Sequence, residues 1–226
     1  MPRQTLDRQI HQLLDEVLLL GSMVEQALVN AVDALKRRDI PTANRIFRDD
    51  VLVNEKRYAM ENAIIIIIAT QQPMAHDLRL LASVLEADIE LERIGDYAKG
   101  IAKVITRLGD ADIPIPMREF SRMAELTSDM LHRALGAFIT ENAALARDIV
   151  EEDNAVDELY TKAYTAIVTS MIANPEIIDA ANLLIWVAHN LERAADRVTN
   201  ICERTVYIAT GELFELDADD SEETNF

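Results

Sequence analysis

Two short stretches of this sequence carry the same charged side chains at the same spacing. Glu92 and Asp96 belong to a Glu-Arg-x-x-Asp string that recurs at Glu192 and Asp196. Residues four apart lie on one face of a helix, so each glutamate points the same way as its aspartate. Two like charges at this spacing destabilise an isolated helix by about 0.2–0.5 kcal/mol. A bound cation would relieve that repulsion. Because the Glu/Asp pair recurs, the sequence favours a cation site in each copy.

A second polar pair with the same spacing precedes each string. The pairs are Asp50 with Asn54, and Asp153 with Asp157. If the helices of one copy pack together, four oxygen-bearing side chains meet on one outer face. Mg²⁺, Mn²⁺, Ca²⁺ and iron accept such ligands. A surface laced with salt bridges to the neighbouring arginines would show the same spacing, and the spacing alone leaves both interpretations open.

Catalytic constellations are missing from the sequence. The single cysteine, Cys202, and the four histidines follow no zinc-type spacing, and no nucleophile–base set, P-loop or dinucleotide-binding glycine pattern occurs. A ferritin-type di-iron site would need Glu-x-x-His on two helices, whereas His189 and Glu192 stand in the reverse order and only once. We therefore predict no catalytic residues and no residues that bind an organic cofactor.

Composition narrows the class of protein further. The chain has 226 residues and a formal net charge of −18, which disfavours a nucleic-acid ligand. A single cysteine fits a reducing compartment, and no signal peptide or membrane-spanning segment is expected. The five isoleucines Ile64–Ile68 are too few to cross a bilayer. We expect them to form a core helix segment that is apolar on all sides, with a short buried strand as the alternative.

The apolar spacing predicts six long antiparallel helices. Proline and glycine mark most of the breaks between them. The expected spans are about 6–36, 41–70, 74–108, 117–140 and 143–173, followed by a sixth helix that continues after Pro175 to about Thr210.

The sequence also contains an internal duplication. Residues 39–55 align with 142–158 at an offset of 103 positions, which places Asp50 on Asp153 and Asn54 on Asp157. The predicted fold is therefore all-α, with two tandem homologous three-helix bundles. The expected units are residues 1–109, a linker at 110–116, residues 117–211 and an acidic, disordered tail at 212–226.

The third and sixth helices each show a near-heptad apolar seam. Against these seams, we expect the Glu and Asp of each repeated string to project outward, away from the bundle interior. The seams are Val84, Ala87, Leu91, Ile94, Ala98, Ile101 and Ile105 in the third helix, and Leu184, Val187, Leu191, Ala194, Val198, Ile201 and Ile208 in the sixth.

Two further stretches extend the pattern to a known family. The segments 71–79 (Gln-Gln-Pro-Met-Ala-His-Asp-Leu-Arg) and 91–98 (Leu-Glu-Arg-Ile-Gly-Asp-Tyr-Ala), with 191–196 in the second copy, resemble the PhoU family of phosphate-uptake regulators. The resemblance covers about residues 5–212. It implies two three-helix bundles, usually in a homodimer, and acidic motifs that bind multinuclear metal clusters in some members.

Carried over by position, the implied metal ligands of the second unit are Asp153, Asp157, Glu192 and Asp196. Those of the first unit are Asp50, Glu92 and Asp96, with Asn54 in place of a carboxylate, so that this site carries one less negative charge. The implied cofactors are divalent or trivalent ions: iron, zinc, manganese or magnesium.

The resemblance also implies a function without catalysis. Such proteins are cytoplasmic negative regulators, peripheral at the inner face of the membrane, that couple a phosphate-specific ABC transporter to a sensor histidine kinase. An accessory protein of a phosphate/cation symporter and a carboxylate-based metal-binding or storage protein stay open as alternatives.

Overall fold

The computed structural model describes residues 2–109, 111–213 and 215–216, and all regular structure in these ranges is helical. This confirms the predicted all-α fold. The helices are α1 (Pro2–Arg37), α2 (Ile40–Gln71), α3 (His76–Leu108), α4 (Met117–Thr140), α5 (Ala143–Val150), α6 (Asp153–Ala173) and α7 (Ile178–Thr210), with a short 3₁₀ turn at Pro175–Ile177.

The duplication extends to the caps that start equivalent helices. The Asp39 carboxylate accepts a hydrogen bond from the Thr42 backbone N–H at 3.0 Å. Its counterpart Asn142 caps α5 in the same way, accepting from the Leu145 N–H at 3.1 Å. Each cap satisfies a backbone donor that the first turn of a helix leaves without a partner. The two units therefore begin their second helix by one mechanism.

The antiparallel pair α3 and α7 forms the centre of the core. Both predicted seams are confirmed, because each of their fourteen residues is 1% exposed or less. The Arg197 guanidinium of α7 lies 3.3 Å from the Glu90 carboxylate of α3, and both side chains are mostly buried. Burial of a charged pair at this position requires close pairing, which holds the two helices in one register.

The predicted fifth helix is divided, which corrects its expected span of 143–173. Backbone N–H groups of Glu152 and Ala155 donate three residues back, to Ile149 and Glu152. Glu151 and Glu152 keep right-handed helical dihedral angles, so the chain bends and continues. The Glu152 carboxylate accepts from Arg133 of α4 at 2.8 Å, an ion pair that fixes the bend.

The isoleucine run is helical, so the strand alternative is wrong, but it is not buried on all sides. Ile64 and Ile67 are buried, whereas Ile65 and Ile66 are 54% and 59% exposed. The expectation of an all-round core segment is therefore wrong as well. The reason is position: α2 lies at the edge of its unit and contacts other helices along one side only.

Helix α1 has the length and hydropathy of a membrane span over Gln4–Arg37. Four of its apolar residues, Val17, Leu20, Val24 and Leu28, are nevertheless completely buried in the core. A helix that is buried in a protein core can have the same length and hydropathy as a membrane span. The packing of α1 against α2, α3 and α4 accounts for its apolar character.

The limits of the predicted units remain predictions. Residues 111–116 between α3 and α4 contain no helix, and Arg38 donates to the Gly109 and Ala111 carbonyl oxygens at 2.8 and 2.9 Å. The helices of both units contribute to one hydrophobic core. Most of the acidic tail at 212–226 lies outside the described residues.

Two helical glycines test how closely the units approach. A Cβ on Gly21 of α1 would lie 2.1 Å from Leu135 Cδ1 of α4, whereas a Cβ on Gly136 would meet nothing within 4 Å. We expect Gly21→Ala to lower the free energy of unfolding by about 1–3 kcal/mol through overpacking.

Gly136→Ala is the matched control for this substitution. It should raise the free energy of unfolding by about 0.5–1 kcal/mol, because alanine costs less backbone entropy in a helix. Urea unfolding of both variants measures the difference. Equal effects of the two substitutions would contradict the close approach of α1 to α4.

Candidate metal centres

The second unit brings acidic side chains together where α6 packs on α7. Asp153 is the first residue of α6, and Asp157 follows one turn later. Glu192 and Asp196 lie one turn apart on α7, beside the buried seam that fixes the orientation of this helix. Asp157 is exposed, while the other three are half-buried. The sequence-predicted residues of this site thus occupy two adjacent helices.

Electrostatics indicate that three of these carboxylates share one environment. Burial raises the pKa of Glu192 to about 7, and the negative charges of Asp196 and Asp157 contribute in the same direction. Arg193 and Arg197 oppose the shift without cancelling it. A carboxylate with this environment gains from a nearby cation, because a positive charge would offset both the burial and the repulsion.

The ligand shell is not closed in this structure. In the described part of the chain, no three Asp, Glu, His or Cys side chains converge closely enough to hold a metal ion. One oxygen of Glu192 faces His189, whose Nδ1 lies 3.3 Å away. Side chains of Glu192, Asp196 and Asp157 would have to rotate toward a common point to bind one.

The first unit places a lysine among its acidic residues. The Lys99 ammonium donates to the Asp50 carboxylate at 2.6 Å and lies 3.6 Å from Asp96. Asn54 donates from its amide to the same Asp50 oxygen at 3.2 Å. Asp50 is only 8% exposed, so its charge depends on these two donors. The lysine therefore already supplies a positive charge at this position.

Ionisation in the first unit follows from this arrangement. The hydrogen bond to Asp50 raises the pKa of Lys99, and the charges of Asp50 and Asp96 add to it. Burial, followed by the charge of Asp96, raises the pKa of Glu92 above its ordinary range. The ammonium also lies 5.6 Å from the centre of the Phe47 ring, within reach of a cation–π interaction. Lys99 thus compensates the charges of Asp50 and Asp96, while the carboxylate of Glu92 stays partly uncompensated.

The two candidate sites thus differ at one decisive position. The second-unit counterpart of Lys99 is Thr199, whose hydroxyl donates to the Asp196 backbone carbonyl at 2.8 Å. Without an ammonium at this position, the carboxylates of the second unit fit a metal ion. The donor set of the first unit fits one poorly, because a metal would compete with Lys99 for Asp50.

We expected all four acidic residues of the repeated strings to project outward, and the structure exposes only one of them. Asp96 is exposed, but Glu92, Glu192 and Asp196 are half-buried. The reason is that α2 and α6 pack beside α3 and α7 and cover one side of the motifs. Sequence reasoning also missed Lys99, although its position three residues after Asp96 could have revealed it.

A further acidic residue lies outside both sets. Asp88 of α3 is 1% exposed, and one oxygen forms no hydrogen bond to any described residue. Burial raises its pKa to about 7; Arg57 opposes the shift, and the charges of Glu61 and Glu86 add to it. Arg57 also lowers the pKa of Glu92, so Asp88 and Glu92 share this cation. Asp88 therefore lies next to the acidic residues of the first unit without belonging to the candidate ligand set.

The chain is similar to known proteins over nearly its whole length. A family model described as the PhoU domain matches residues 17–105 and 120–205. The phosphate-specific transport system accessory protein PhoU homolog of Clostridium acetobutylicum is 31% identical over 217 residues, covering 96% of this chain and 99% of the relative. The homolog from Caulobacter vibrioides is 34% identical over 208 residues, with 90% and 89% covered.

Solved structures agree with this similarity. The crystal structure of the phosphate transport system regulatory protein PhoU from Streptococcus pneumoniae superposes with a TM-score of 0.86 at 31% identity, covering 92% of this chain and 99% of the other. PhoU from Pseudomonas aeruginosa gives 0.86 at 30% identity, with 91% and 99% covered. Both matches cover more than nine-tenths of this chain.

The raised pKa of Asp88 predicts how stability depends on pH. The folded chain holds this proton up to about pH 7, whereas the unfolded chain releases it near 3.8. Stability should therefore fall as the pH rises through that window, because the folded state binds more protons. We expect Asp88→Asn to reduce this dependence of stability on pH. At pH 8, the free energy of unfolding of the variant should exceed that of the wild type by about 1–3 kcal/mol.

Urea unfolding between pH 5 and pH 8, in chelator, measures this effect. Asp33→Asn serves as the control, because Asp33 pairs with Arg37 on an exposed surface. An unchanged slope for Asp88→Asn would mean that Asp88 is ionised in the folded chain.

Proposed function

The chain belongs to the PhoU family, and from that premise we propose that it is an accessory and regulatory protein of a phosphate-specific transport system. The observation that carries this proposal is similarity along almost the full length of proteins that bear this description. The structural matches cover 99% of each compared PhoU chain. No large insertion or deletion separates this chain from those relatives, which favours a shared role.

The proposed role is negative regulation without catalysis. In this proposal the protein acts in the cytoplasm, peripherally at the inner face of the membrane. It couples a phosphate ABC transporter to a sensor histidine kinase and represses phosphate-starvation genes when phosphate is plentiful. Long packed helices and the missing catalytic motifs support an adaptor, which acts by presenting surfaces to partners.

A homodimer is part of the same proposal. Its support is an apolar stripe on the outer side of α2, where the spacing is nearly heptad and each side chain is 44–54% exposed. Sedimentation equilibrium of the purified chain tests this state. The stripe consists of Ile40, Phe47, Val51, Tyr58 and Ile65.

Metal binding is proposed for the second unit above all. Asp153, Asp157, Glu192 and Asp196 would hold iron, zinc, manganese or magnesium, in a site that can be multinuclear. A bound ion would supply positive charge that locks α6 to α7. The support is the half-buried Glu192 with like charges on both sides.

Regulation can be tested in the organism that carries this gene. Deletion should raise alkaline phosphatase activity in phosphate-rich medium, because repression would be lost. Complementation with the wild-type chain should restore repression. Unchanged repression in the deletion strain would overturn the regulatory proposal.

Metal content tests the candidate ligands directly. We expect Glu192→Ala/Asp196→Ala to weaken metal binding at least about tenfold, since two carboxylates are removed from one site. Elemental analysis of protein purified without chelator measures the bound metal. Affinity should also rise between pH 6 and pH 8, because binding displaces the proton that Glu192 retains up to about pH 7.

The matched control is the equivalent pair in the first unit. Glu92→Ala/Asp96→Ala should change the metal content little, because Lys99 already pairs with Asp50 and would compete with a metal ion for it. If the second-unit variant kept its full metal content, the ligand assignment would be wrong.

A further inference from the structure

A groove between α4 and α6 concentrates positive charge on a strongly acidic protein. Its volume is about 830 Å³, and four of the residues that line it are cationic, against two, Glu119 and Glu125, that are anionic. The net charge of the whole chain is −18, so a local excess of cations runs against the average surface. The four cations are Lys36, Arg118, Arg122 and Lys162.

One ion pair of the first unit has no equivalent at this groove. In the first unit, Lys56 of α2 pairs with Glu16 of α1 and bridges the two helices. At an offset of 103 positions the counterparts are Leu159 and Glu119, which cannot form an ion pair. Both line the groove instead. The space between α4 and α6 therefore stays open at the level where α1 and α2 are joined.

Three of the four cations are specific to the second unit, and Lys36 comes from α1 of the first. At the same offset, Arg118, Arg122 and Lys162 correspond to Asp15, Leu19 and Ala59. The same offset pairs buried core positions of α1 and α4, such as Val17 with Phe120 and Leu28 with Leu131. Three positions that are acidic or apolar in one unit thus carry a positive charge in the other.

Much of this charge is available to a ligand. Lys36 and Arg118 form no ion pair with any residue in the described ranges, and both are exposed. Arg122 and Lys162 pair with Glu125 and Glu158 on their own helices, at 3.2 and 3.1 Å. Such exposed pairs contribute little and exchange readily for a more highly charged partner.

The end of a helix adds to this potential. The N-terminus of α4 borders the groove at Met117 and Arg118, and no side chain caps it. The positive end of the helix dipole favours anions, and backbone N–H groups there bind phosphate oxygens. Ser121 and the apolar side chains of Met117 and Leu159 complete the lining.

We propose that the groove between α4 and α6 binds a small anion that carries two or more phosphate groups. One orthophosphate would occupy only a small part of 830 Å³ and could not reach four cations contributed by three helices. A chain of phosphate groups spans them, as either inorganic polyphosphate or a nucleotide, whose base would pack on Met117 and Leu159. This site is separate from the carboxylates proposed to bind metal, and it does not rest on the proposed regulatory role.

Isothermal titration calorimetry of the full chain tests the proposal, with tripolyphosphate, ATP, AMP and orthophosphate as separate probes in metal-free buffer. Tripolyphosphate should bind more tightly than orthophosphate, and raising the salt from about 50 to 200 mM should weaken it several-fold. If ATP binds more tightly than tripolyphosphate, the groove recognises a nucleotide. If the two bind equally tightly, the groove recognises the phosphate chain alone.

The variant Arg118→Glu/Lys162→Glu should weaken tripolyphosphate binding at least about tenfold, because two attractive charges become repulsive. The control Arg8→Glu/Arg48→Glu makes the same change of charge at exposed positions outside the groove and should bind within about twofold of the wild type. All four positions are exposed, so both variants should keep the wild-type circular dichroism spectrum.

Three outcomes would overturn the proposal. The first is that neither tripolyphosphate nor ATP binds. The second is that the groove variant and the control lose the same amount of affinity for tripolyphosphate. The third is that orthophosphate binds as tightly as tripolyphosphate. Each outcome concerns purified protein, so it leaves the test of gene repression independent.

Discussion

The antiparallel packing of α3 on α7 is the contact on which the rest of the molecule depends. Fourteen seam residues are excluded from water along this pair, and the Glu90–Arg197 ion pair sets its register. The helices α1 and α2 pack on α3, and the helices α4, α5 and α6 pack on α7. The repeated Glu-Arg-x-x-Asp strings lie on the same two helices, so the packing that builds the core also fixes which way the candidate metal ligands face.

Duplication has given two scaffolds that agree in their core and differ in their charges. Capping residues and seams correspond, yet Lys99 faces the acidic cluster of one unit while Thr199 occupies its place in the other. The groove shows the same divergence, with cations in the second unit at positions that are acidic or apolar in the first. Exposed and half-buried positions tolerate such exchanges because they alter few packing contacts. One fold thereby presents unlike surfaces on its two halves.

Periodicity was sufficient to predict the helices and their buried faces, since a 3.6-residue repeat over thirty residues is a strong signal. It failed where neighbours decide the outcome. The isoleucine run has no period of its own, so exposure of Ile65 and Ile66 follows only from the position of α2 at the edge. The bend at Glu152 depends on Arg133, nineteen residues earlier in the chain. The eight candidate ligands were identified from spacing, but the ion pair of Lys99 with Asp50, a residue of another helix, is a tertiary contact that spacing does not encode.

The bend between α5 and α6 makes the two units mechanically unlike. Asp50 lies inside the continuous helix α2, where regular hydrogen bonds on both sides hold its backbone. Asp153 instead follows a joint whose N–H groups donate only three residues back, a weaker arrangement than that of a regular helix. A force on the Asp153 side chain is therefore opposed at this joint by the Arg133–Glu152 ion pair and by helix packing, whereas a force on Asp50 is also opposed by the unbroken hydrogen bonds of α2. Of the two copies, the second is the compliant one.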